Sequence, residues 1–257
     1  MGTVGTEVAR EASDIILMTD DFTSIVNAIK WGRTVSTSVR KYVQHQLSVN
    51  ITAVILTFVS AITSADNLSV LTAVQLLWVN LVLNTCAALG LATDKPDVNI
   101  LKRPPMGRNS PLISTSMWKM IMGQTVLQLI ICFILHFAGQ NLYLNENPTN
   151  RQKDQLDALV FNTFVWLQVF KLIANRKLDE GDGLTTIRER LTAMNLNFFQ
   201  GFFTNWYFVI LWIIICALQT VIMFVGGASF SIVHQTGAMW ATAILCGVLS
   251  LPVVYEI

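Results

Sequence analysis

The feature that most constrains this chain is a series of long apolar runs nearly free of charge. A bilayer's hydrocarbon core is about 30 Å thick and a helix rises about 1.5 Å per residue, so about 20 apolar residues reach across it. Six stretches meet that length to within a few residues: 45–64, 70–93, 117–138, 157–174, 204–226 and 235–255. Composition agrees, since 53% of the 257 residues are hydrophobic and 13% charged, against about 25% charged in soluble domains. The pattern predicts an all-α membrane protein, a six-helix transmembrane bundle whose outer faces meet lipid. With a net charge of only +1, nothing points to nucleic acid.

How the charge is distributed says more than its sum. Arg10, Lys30, Arg33, Arg40 and Lys41 precede the first span; Lys95, Lys102, Arg103, Arg108 and Lys119 lie between or at the edges of the second and third. Lys171, Arg176, Lys177, Arg188 and Arg190 fall between the fourth and fifth, and only Arg151 and Lys153 lie on the opposite side. Cytoplasmic loops are enriched in Lys and Arg, so both termini are expected in the cytoplasm. Cys86, Cys132, Cys216 and Cys246 are scattered over four spans with no metal-ligand spacing, which indicates neither a disulfide framework nor a zinc site.

Before the spans, residues 1–29 contain "EVAREA", which reads as a short helix, and "IILM", which reads as a short buried strand. A βα piece of that size cannot bury a core of its own, because about 40 residues is the usual floor. It is expected to be a short α/β remnant at the edge of a larger cytoplasmic domain. Residues 30–44 continue as a helical stalk into the first span without a Pro, and 45–257 form the membrane domain. The inner loop 94–116 carries four prolines that forbid a continuous helix, and 139–156 is expected to be a longer polar outer loop.

Polar residues inside the spans are the candidate functional groups. Asn80 and Asn84 stand at i and i+4, on one helix face. In the first span Gln46, Asn50, Thr57 and Ser64 share a face as well. Asn50 and Asn84 lie within a turn or two of a common depth, and helices joined by a short loop pack together, so the two faces can meet. Amide oxygens can ligate hard cations, and intramembrane polar groups mark ion pathways. They also serve as hydrogen-bond glue between helices, which spacing alone favours. Gln128, Asn162, Gln168 and Gln219 fit the glue reading better still. No Asp or Glu falls well inside a span, with Asp66, Asp157 and Glu256 at edges. A dehydrated divalent ion among amides alone has no countercharge, so this chain by itself is not expected to hold calcium tightly.

The residues resemble a known family. "GTEVAREASDIILMTDDFTSIVNAIKWGR" is similar to the end of the phosphorylation domain and the stalk of P-type calcium-transporting ATPases. "QLSVNITAVI", "LLWVNLVLNTCAALGLATDKP", "GRNSPLIS", "FNTFVWLQVF" and "FVGGASFSI" resemble the plasma-membrane and fungal-vacuolar type of pump. The resemblance implies that the six spans correspond to the last six of a ten-helix transport core in a vacuolar or plasma membrane. It implies Ca2+ as the transported ion, with Asn50, Asn80 and a weakened Asn84 as its ligands. The family pattern has an Asp where Asn84 stands, and an "FNEIN"-like run where this chain reads "VFKLIANRK", with Lys171 and Leu172 in its place.

The family's phosphorylated Asp in "DKTGT", its "TGES" loop and its Mg2+-binding "GDGxNDxP" hinge do not occur in this sequence. ATP and Mg2+ would therefore act only through other parts of such a pump, and no aspartyl-phosphate can form on this chain alone. Met1 corresponds to an internal methionine of the family pattern, and the chain is expected to be a C-terminal fragment. The alternative is a non-enzymatic membrane interaction fragment that associates with an intact pump. A six-span channel fits less well, since the sequence has neither a "TVGYG"-type filter nor an Arg repeat of the voltage-sensor kind.

Overall fold

The computed structural model describes residues 6–16, 21–64, 69–96, 100–101, 111–143, 149–176, 205–230 and 232–256. Among them the chain is helical and contains no strand. After a short helix α1 (Glu7–Glu11), helix α2 runs unbroken over Phe22–Thr63. It starts at Asp21, whose carboxylate accepts the Thr23 hydroxyl at 2.7 Å and the Thr23 N–H at 3.0 Å. These bonds satisfy a free end of the helix and hold the Asp21 carboxyl below its ordinary range. With 42 residues and no proline, α2 is a rod about 63 Å long, so stalk and first span are one continuous element. The chain turns back beyond it where Ser60 Oγ accepts the Val70 N–H at 3.2 Å.

The second span is a composite. Helix α3 (Ala73–Trp78) opens on a reciprocal cap: Gln75 Oε1 accepts the Thr72 N–H at 3.0 Å, and Thr72 Oγ1 accepts the Gln75 N–H at 3.4 Å. A π-helical turn over Val79–Leu83 follows, and α4 (Asn84–Ala92) completes the span. The third span, α5 (Thr115–Phe133), passes through a second π turn at Ile134–Ala138 into α6 (Gly139–Tyr143). Helix α7 covers Asn150–Asn175 and α8 covers Trp206–Val225. A 3-10 turn at Gly227–Phe230 leads to α9 (Gly237–Glu256), and Gly227 takes a φ of +42° there, which a side chain would disfavour.

Five of these units are long and apolar enough to cross a bilayer: α2, α3 to α4, α5 with its π turn, α7 and α8. Helix α9 is the sixth long helix, with a shorter described apolar stretch at Gly237–Leu251. Two expectations change. The strand proposed for "IILM" is not seen in its described half, where Ile15 and Ile16 are exposed and non-helical; Leu17 and Met18 lie outside the described residues. The outer loop 139–156 is largely helical instead, because α6 reaches Tyr143 and α7 begins at Asn150. The "TNRQ" cap explains the early start, with Gln152 Oε1 accepting the Thr149 N–H at 3.1 Å.

Helix α7 occupies the centre, with Leu159, Phe161, Phe164 and Leu167 fully buried. Helix α9 lies against it at Gly247, where an added Cβ would fall 2.5 Å from Phe170 Cδ2. Helix α2 packs on α4 and α5, and α4 packs on α8, with Gly90 leaving room for the Phe208 ring. The small residues let backbones approach closely where lipid provides no hydrophobic drive for helix association.

Candidate functional site

The wide turn at Val79–Leu83 sets the geometry of the amide pair. Asn80 belongs to that turn, and Asn84 is the first residue of α4. Asn84 Nδ2 donates to Asn80 Oδ1 at 3.2 Å, so the two amides meet as the i, i+4 spacing predicts. Their surroundings differ sharply: Asn84 is 1% exposed, whereas Asn80 is exposed. The usual step of about 100° per residue fails across a π turn, so a shared face does not give equal depth in the bundle.

Asn84 Oδ1 is buried with no hydrogen-bond partner. A carbonyl oxygen taken out of water without a donor is costly, and the atom is suited to accept a donor or a cation. Asn50 is half-buried on α2, the helix that packs on α4, but no hydrogen bond joins it to Asn80 or Asn84. Two of the three predicted ligands are thus brought together, and the third lies on a neighbouring helix with no hydrogen bond to either. None of the buried polar side chains among the described residues is a carboxylate. The arrangement offers neutral oxygens and, at Asn80, an open side.

A second polar stripe of α2 was not singled out from sequence, although its i, i+4, i+8 spacing was there to read: Gln44, Ser48 and Thr52, all buried. Thr52 Oγ1 donates to Gln128 Oε1 on α5 at 3.2 Å, and the same oxygen accepts Gln168 Nε2 of α7 at 3.1 Å. Gln124 Nε2 of α5 donates to Asn175 Oδ1 of α7 at 3.1 Å, and the Asn175 amide faces His45 Nδ1 of α2 at 3.3 Å. Further out, Gln219 of α8 donates to Asn162 Oδ1 at 3.2 Å, while Asn162 Nδ2 donates to Gln235 Oε1 at 3.1 Å. Gln128, Asn162, Gln168 and Gln219 therefore bond helix to helix, as the glue reading requires.

Lys171 requires a correction. Counted among cations between the fourth and fifth spans, it lies inside α7, 1% exposed, and its ammonium donates to Ser48 Oγ on α2. A four-carbon stem on a central helix points into the bundle instead of reaching the interface.

At the end of α4 the chain forms an ionic knot. Asp94 Oδ1 accepts Arg176 Nε at 3.0 Å and Asn205 Nδ2 at 3.0 Å, and Lys41 Nζ of the stalk lies 3.6 Å from Asp94 Oδ2. The Arg176 guanidinium also sits over the Phe208 ring, 4.7 Å from its centre. One carboxylate thus ties the stalk to the ends of α4, α7 and α8.

Comparison with known proteins gives concordant matches. Residues 68–257 match the family described as cation transporting ATPase, C-terminus. The chain is 62% identical to Calcium-transporting ATPase 2 of Saccharomyces cerevisiae over 254 residues, covering 98% of this chain and 22% of that protein. It is 48% identical to Calcium-transporting ATPase 2 of Schizosaccharomyces pombe, covering 98% of this chain and 18% of that one. With Plasma membrane calcium-transporting ATPase 4 of Homo sapiens the identity is 43%, over 96% of this chain and 19% of the human protein. The chain thus spans about a fifth of the length of these relatives.

Proposed function

We infer a part in ATP-driven calcium transport from one premise: the chain belongs to the cation-transporting ATPases, matched through their C-terminal membrane portion. In this reading Ca2+ is the substrate, moved out of the cytosol, and Asn50, Asn80 and Asn84 line its path. All six long helices cross the membrane, vacuolar or plasma, with both termini cytoplasmic, because fourteen of the 17 Lys and Arg residues gather on one side once Lys171 is set inside α7. Residues 1–29 border a phosphorylation domain, and ATP and Mg2+ act through parts outside this sequence.

The observation that carries the reading is the orphaned, buried Asn84 Oδ1 beside Asn80 on a π turn. Such turns are frequent at functional sites, and a neutral oxygen without a donor is a ready cation ligand. Because calcium affinity follows the charge of its ligands, Asn84→Asp in a full-length pump carrying this chain is expected to raise calcium affinity about tenfold and to increase uptake by vesicles. Identical uptake by the two versions would remove Asn84 from the site.

The exposed amide of Asn80 favours a second, compatible reading: association with other helices of a pump. A polar side chain on a span is costly against lipid and calls for a covering partner. Co-purification of the tagged chain with an intact pump tests it, and rapid loss of the chain with no partner captured counts against it.

A further inference from the structure

Asp94 stands where its own helix gives it no reason to be. It lies just beyond Ala92, the last residue of α4, and a negative charge at a helix C-terminus opposes the helix dipole. Its carboxylate serves other elements: Oδ1 accepts Arg176 Nε and Asn205 Nδ2, each at 3.0 Å, and Lys41 Nζ lies 3.6 Å from Oδ2. The neighbouring residues extend the attachment. Thr93 Oγ1 donates to the Gly90 main-chain oxygen at 3.0 Å and accepts Asn205 Nδ2 at 3.2 Å. Asn205 Oδ1 accepts the Phe208 N–H at 3.4 Å, and the buried Phe208 ring lies under the Arg176 guanidinium and against Gly90. The inner end of α4 is thereby fixed to the ends of α7 and α8.

The other end of α4 is joined differently. Asn84 is its first residue, and the Asn84 N–H reaches back across the π turn to the main-chain oxygen of Val79. An ordinary helix carries a displacement along its unbroken ladder of bonds four residues apart, and the wide turn interrupts that ladder between Asn80 and Asn84. The half beyond it has an anchor of its own, since Gln75 Nε2 of α3 donates to the Phe230 main-chain oxygen at 2.9 Å. Each amide of the pair therefore belongs to a separately anchored half of one span.

We propose that Asp94 is a positioning residue for the amide pair: by anchoring α4 as a unit to α7 and α8, it sets how Asn84 sits against Asn80 while touching neither. Loosening this anchor shifts Asn84 with α4 and leaves Asn80 with α3. Arg176 and Asn205 do most of the holding, at hydrogen-bond distance, and Lys41 adds a longer link to the stalk. The inference rests on the transport reading for its consequence, namely that Asp94 tunes the affinity of the path for Ca2+. The anchoring itself is tested without that reading.

The measurement is main-chain hydrogen exchange, read by mass spectrometry on the full 257-residue chain in lipid nanodiscs. Asp94→Asn keeps the shape of the side chain and removes its charge. It is expected to speed exchange in α4 about tenfold and to leave α3 as it is in the wild type. Arg176→Gln is expected to act in the same way, and adding Asp94→Asn to it is expected to bring no further change, because one bond is lost in both. Asp94→Glu, which keeps the charge, is expected to protect α4 better than Asp94→Asn does. Exchange in α4 equal to that of the wild type overturns the proposal, and so does an equal rise in α3, α4 and α5, which would be general loss of stability. If Asp94→Asn does not fold, Lys41→Gln decides: a rise of about threefold confined to α4 supports the proposal, and no rise or an equal one in α3 overturns it. In a full-length pump carrying this chain, Asp94→Asn is expected to raise the calcium concentration for half-maximal uptake about fivefold and to change the maximal rate by less than about twofold. A looser α4 with unchanged calcium dependence would strike the transport reading and leave the anchoring standing.

Discussion

Helices α7 and α8 are neighbours that obey opposite rules. Helix α8 is the most apolar of the five spanning units, yet only 28% of its apolar window is buried; in α7 the figure is 89%. The buried helix is the one that carries Asn162, Thr163, Gln168, Lys171 and Asn175, all at 1% exposure or less. In water this order would be reversed. Against lipid there is nothing to gain by hiding a leucine from solvent, so helices are sorted by which polar groups must find partners and which backbones can approach closely. The outward face of α8, including Ile213, Val221 and Phe224, is already in its preferred medium.

The sharpest way to break this contrast is at the contact between α7 and α9. Gly247→Leu would drive a side chain into Phe170, whose ring carbon lies 2.5 Å from the site of a Cβ, and the main-chain oxygen of Trp166 leaves little room to yield. It is expected to destabilise the bundle by about 3 kcal/mol, read from the midpoint of denaturant unfolding in micelles. Next comes Asn162→Leu, which removes the bonds to Gln219 and Gln235 and leaves both without that partner; a loss of about 1.5 kcal/mol is expected in the same assay. The smallest effect should come from α8: Ile213→Ala, at a position 54% exposed, is expected to cost under about 0.5 kcal/mol. If Ile213→Ala proved as damaging as Asn162→Leu, polar partnering would not be what distinguishes the two helices.

This contrast also explains what could be read in the sequence. Apolar length alone located the spans, because a bilayer imposes it on any helix; the ends of α8 fall within two residues of the expected 204–226. The continuity of stalk and first span in α2 was equally legible, since no proline interrupts "VSTSVRKYVQHQLSV". The start of α7 was misplaced because hydropathy ignores capping, and the Thr149–Gln152 signal lies in a polar stretch. At the site, spacing predicted the meeting of Asn80 and Asn84 but not their unequal burial, which depends on a π turn that periodicity cannot reveal. Lys171 looked like one more loop cation because charge counting has no sense of direction. Only the packing of α2, α5 and α7 around it shows otherwise.

The turn at Val79–Leu83 has a consequence for how this span can change over time. A π turn accommodates one more residue than an ordinary turn, so deleting a single residue there could close it without breaking the helix. Everything beyond would then keep close to its present phase and depth, because the wide turn already absorbs the extra residue. Asn84 would keep its buried seat, and Gly90 the ring of Phe208 that it accommodates. The same loss from an ordinary turn, as in α7, would rotate all that follows by about 100° and draw it back by about 1.5 Å.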